Sequence, residues 1–98
     1  MLPGNKAPEE GQKIMLKDLL KALEAAEKET DRIDALWNEE PENAEIEAAW
    51  DKAYKTEYDA REAVRNYIMK LTGIDQFTAG KMTTIKYRDR LKAIAEKE

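Results

Sequence analysis

Between Ile46 and Leu71, apolar or small residues recur at Ile46, Trp50, Ala53, Ala60, Val64, Tyr67 and Leu71, with only Glu57 interrupting the series. Alternating steps of four and three set such residues along one side of a helix, as in a heptad seam. A second run keeps the same rhythm at Leu16, Leu19, Leu23, Ala26, Thr30, Ile33 and Trp37. The segment between the runs, Asn38 to Glu45, is acidic and holds Pro41, whose ring disfavours helical geometry at the residue before it. The pattern predicts an all-α fold: a long antiparallel, coiled-coil-like helical hairpin with helices at about 12–39 and 43–72. Asn43 is placed to cap the second helix and Gly73 to end it in the left-handed conformation. A turn near residues 41 and 42 sets Trp37 near Ile46, Ile33 near Trp50, Thr30 near Ala53, Leu23 near Ala60 and Leu16 near Tyr67. In this register both tryptophans plug the core at the tip. Glu57 falls opposite Ala26, where it should lean to solvent or pair with Lys28 or a cation of a third helix.

After Gly73, Asp75 or Thr78 can cap a shorter third helix at about 78–95 that closes the hairpin. At 100° per residue, Met82 and Ile85 fall on one side of it, whereas Tyr87, Leu91, Ile94 and Ala95 gather on the nearly opposite side. A helix apolar on two sides is sandwiched between surfaces, or bent so that each half meets the same one. The hairpin's open end, with Leu16, Leu20, Ala63, Ile68 and Leu71, can cover one side, which leaves the other for a partner. Met82, Ile85, Tyr87, Leu91 and Ile94 are therefore the partner-binding candidates, with self-association as a homodimer one form of that binding.

Composition narrows the chemistry. Ala, Glu, Lys, Leu and Arg make up more than half of the 98 residues, which fits long helices in one domain over residues 12–98. Two prolines and two glycines mark residues 1–11 as a flexible tail. The chain has no Cys, His or Ser, so disulfides, zinc sites and the common nucleophile–base pairs are excluded together. No catalytic residue, cofactor or metal is expected. Glu24, Glu27, Asp31 and Asp34 lack the histidines of a helical-bundle metal site and read as partners for Lys21, Lys28 and Arg32. Without a basic start and apolar core of the signal type, or a run long enough to span a bilayer, the expectation is a soluble, cytoplasmic protein with no membrane role.

The formal net charge of −4 is unevenly spread. Residues 38 to 47 carry five Glu and no cation, whereas Lys81, Lys86, Arg88, Arg90 and Lys92 stand against Asp89 alone. These five cations are the candidate contacts of an alternative reading, a nucleic-acid-associated helical protein using its C-terminal helix. Tyr54, Tyr58, Arg61 and Arg65, at helical spacing, could add a stacking stripe but read equally as ordinary flank packing. An acidic whole chain and the lack of a recognition module disfavour nucleic acid. The preferred reading is a non-enzymatic protein-interaction module, an adaptor or inhibitor of a larger intracellular protein.

Overall fold

The two heptad runs form two long helices, α1 (Leu16–Glu39) and α2 (Ala44–Thr72), in a computed structural model that describes residues 14–98. The proposed tail and the first residues of the proposed first helix lie outside the described residues. The fold is an all-α helical hairpin, and no strand occurs among the described residues. The hairpin turns where the sequence demands it. Asn43 Oδ1 accepts from the Glu45 and Ile46 N–H groups at 2.9 and 3.3 Å, satisfying two donors that a helix start leaves bare. Asn43→Ala is expected to cost about 1 kcal/mol in denaturant unfolding, because both donors would revert to water alone. At the far end Gly73 takes φ 78°, and its N–H donates to the Met69 carbonyl.

One contact fixes the register. The Thr30 hydroxyl donates to the Ala26 carbonyl at 3.1 Å and lies 3.4 Å from the Ala53 carbonyl across the seam, the pairing that the heptads predict. Glu57 pairs with Arg61 of its own helix at 3.0 Å rather than with Lys28, so this seam carboxylate is neutralised from its own flank.

The C-terminal third departs from a single helix. It folds as a strap of three pieces: α3 (Gln76–Met82), a 3-10 turn (Ile85–Tyr87) and α4 (Asp89–Glu96). Asp75 caps α3, its carboxylate accepting from the Thr78 N–H at 3.1 Å and from the Thr78 hydroxyl at 2.6 Å. These bonds to the ionised form hold the Asp75 carboxyl below its ordinary range. The helix then breaks at a Thr pair. The Thr83 and Thr84 hydroxyls each donate back three residues, to the Gly80 and Lys81 carbonyls at 2.7 Å, and Thr84 is extended. The bend accounts for most of the two-sided apolar pattern, because each half meets the hairpin separately, α3 on α2 and α4 on α1, burying Met82 and Leu91, while Ile85 and Tyr87 in the turn between them stay exposed.

Leu16, Leu20 and Leu23 from α1, Val64 and Ile68 from α2, and Ala79, Met82 and Leu91 from the strap form the core. The last residue closes it. The Glu98 carboxylate accepts from the Leu16 N–H at 2.9 Å and from the Tyr67 hydroxyl, which keeps that phenol protonated to higher pH than usual.

The strap covers only the open half of the hairpin. Toward the tip the two helices meet alone over Ala26, Thr30, Ile33 and Ala53, small residues apart from the isoleucine. Trp37 and Trp50 are accordingly half-buried rather than enclosed, since a two-helix seam covers one side of a large ring and no third layer covers the other. Leu71 is also outside the core, at 55% exposure. The chain reverses at Gly73, so Ile68 and Val64, one and two turns earlier, meet the strap instead.

Candidate functional site

The strap is fastened at its bend by an ion-pair cluster. Arg88, only 4% exposed, donates from Nη1 and Nη2 to the two oxygens of Glu27, both at 2.8 Å, and its Nε donates to the Thr83 carbonyl at 3.2 Å. Arg61 reaches the same Glu27 oxygen at 2.8 Å and links it to Glu57. The Glu27 carboxyl is held below its ordinary range: hydrogen bonding from Arg88 is the largest effect, burial opposes it, and the charges of Arg88 and Arg61 add to it. Arg88 is correspondingly raised. This bidentate fork joins the strap to α1 across 61 positions of sequence.

The five partner-binding candidates separate on this frame. Leu91 is fully buried and Met82 nearly so, both within the chain's own core, and Ile94 packs against that core. Ile85 and Tyr87 stand out, 77% and 43% exposed. Sequence reasoning missed Phe77 in the first turn of α3, which is 77% exposed. No local signal marks it: Phe77 lies two residues after the Asp75 cap, and the helix buries Ala79 and Met82 instead.

The five basic candidates separate as well. Arg88 is withdrawn into the ion-pair cluster, a correction to the basic-face reading, and Lys92 lies 3.7 Å from Glu24. Lys81, Lys86 and Arg90 make no ion pair among the described residues and line, with Thr78, Met82, Tyr87 and Asp89, a concavity of about 400 Å³. Lys81 Nζ and Lys86 Nζ sit 5.4 and 5.5 Å from the centre of the Tyr87 ring, within cation–π range. The outer surface of the strap thus combines exposed apolar rings with unpaired cations.

The second concave feature is at the tip. Asp34 and Trp37 of α1 and Glu47, Trp50 and Asp51 of α2 line an open cavity of about 290 Å³. Trp50 donates from Nε1 to Asp34 Oδ1 at 2.6 Å and stacks on Tyr54, with centroids 5.3 Å apart and planes 14° from parallel. Of the proposed Tyr–Arg stripe, Tyr54 and Tyr58 are exposed, while Arg61 and Arg65 are engaged by Glu27, Glu57 and Glu62. Among the described residues no group of three or more acidic side chains has the arrangement of a metal site. Nor is any helix there long and apolar enough to cross a membrane. No family model, curated protein or solved structure matches this chain.

Proposed function

We propose that this chain is a non-enzymatic interaction module that binds a protein partner through the outer surface of its strap. The observation that carries the reading is a strap that exposes Phe77, Ile85 and Tyr87 and, beside Tyr87, groups Lys81, Lys86 and Arg90 around a concavity, none of them ion-paired among the described residues. Aromatic rings and arginine are the side chains that anchor protein interfaces, and exposed apolar groups rimmed by polar ones mark such sites. The fitting partner is apolar with an acidic rim. Among the described residues, a second copy offers an apolar surface with an acidic rim only at its hairpin tip, so self-association sets strap against tip, and an adaptor or inhibitor role toward a larger cytoplasmic protein is the heteromeric form of the same proposal.

The nucleic-acid alternative is left with Lys81, Lys86 and Arg90, too few phosphate contacts for tight binding at physiological salt.

Sedimentation velocity over a wide concentration range tests the homomeric form. The wild-type chain is expected to associate, and Ile85→Glu with Tyr87→Glu is expected to leave a monomer of unchanged helix content, because both side chains lie outside the core. A monomeric wild type at high micromolar concentration would remove the homodimer. Binding to duplex DNA or RNA at micromolar concentrations and physiological salt would replace the protein-partner reading with its alternative.

A further inference from the structure

The tip cavity is not used by the strap and has its own chemistry. Its volume of about 290 Å³ lies at the lower edge of the range for small-molecule pockets, so it suits a group the size of one side chain. Two of its five lining residues are tryptophans and the other three are carboxylates. None of the three acids forms an ion pair among the described residues, in contrast to Glu24, Glu27, Glu57 and Glu62 farther down the hairpin. Compensation from the surrounding chain is lacking too: between Ile33 and Lys52 there is no Lys, Arg or His, while Glu39, Glu40, Glu42 and Glu45 add further negative charge.

We propose that this cavity is a binding site for a guanidinium group. A cation is drawn by the uncompensated carboxylates and by the electron-rich faces of the indole rings. Guanidinium suits the cavity better than ammonium because its planar fork can stack on a ring while donating to carboxylates at its edge. The walls are held ready for it. Asp34 pins the Trp50 ring through Nε1 and keeps its second oxygen as an acceptor, and Tyr54 stacks on the ring without lining the cavity. Glu47 and Asp51, one helical turn apart on α2, are both exposed and supply the remaining acceptors. The site does not rest on the strap's role, since no strap residue lines it.

The cavity carries its own reporter, because Trp37 and Trp50 are the only tryptophans in the chain. The full chain is titrated at constant ionic strength with N-acetyl-arginine methylamide, with agmatine, and with the neutral isostere N-acetyl-citrulline methylamide. Both guanidinium compounds are expected to change tryptophan emission saturably, and the citrulline compound is not. A response to the arginine amide with none to agmatine assigns the site to a polypeptide's arginine, whereas equal responses mean that the free group suffices. Glu47→Gln with Asp51→Asn, both at exposed positions, is expected to weaken binding by about fivefold or more at low salt while leaving the helix content unchanged. A citrulline titration that matches the arginine one, a double variant that titrates like the wild type, or the absence of any saturable change would each overturn the site.

Discussion

Leu91→Ala is expected to lower the unfolding free energy by about 2 to 5 kcal/mol, the range for truncating a buried leucine. Leu91 has no exposed surface and brings α4 into the same cluster as Leu16, Leu20 and Leu23, so its loss leaves a cavity where the strap meets α1. For a chain of this size that is a large part of the total stability, of the order of 5 to 15 kcal/mol for native domains. Urea unfolding followed by circular dichroism measures it. Ile85→Ala is the control, with an expected change within about 0.5 kcal/mol for an exposed position. Equal effects at the two residues would contradict the bent strap, which buries one and exposes the other.

Arg88→Met is expected to cost about 3 kcal/mol, at the low end for breaking a buried ion pair by removing one partner, because Arg61 still faces Glu27. The loss also removes the two donations to the Thr83 carbonyl at the bend, so the strap should loosen before the hairpin does. The same cluster sets an acid dependence. Glu27 is depressed in the folded state, so its contribution is complete above its ordinary value of 4.5 and disappears as pH falls through the lower folded value. The wild-type urea midpoint should therefore fall more steeply with acid than that of Glu27→Gln. Parallel pH profiles for the two chains would show that the cluster does not hold the strap.

Heptad spacing reports which residues share a helix face, and the parts of the fold that depend on this were legible. The Thr30–Ala53 pairing, the Asn43 cap and the left-handed Gly73 all follow from local sequence. Spacing carries no information on how many layers cover that face. The strap reaches only the open half of the hairpin, and residues in equivalent seam positions accordingly differ: Leu23 is fully enclosed while Trp37 and Trp50 are half-buried. The break at Thr83 and Thr84 was indicated only by the two-sided pattern of the third segment, and its cause is side-chain bonding that competes with the helix. Arg88 sits in a run of cations that looks uniformly solvated, and its acceptor lies 61 positions earlier, beyond the reach of any local pattern. The tip cavity escaped for a related reason. Its acids were visible as charge and its tryptophans as seam, and only the shortfall of covering layers brings the two together on an open face.

The clasp between Glu98 and the start of α1 determines how the molecule would stand if tethered. With the Glu98 carboxylate 2.9 Å from the Leu16 N–H, the two ends of the described helical region leave from the same place. The tip lies the length of α1 away, about 36 Å for 24 residues at 1.5 Å each. Anything fused or anchored at either end would hold the hairpin as a stalk, pointing its acidic, tryptophan-lined cavity away from the attachment and keeping the strap beside the base.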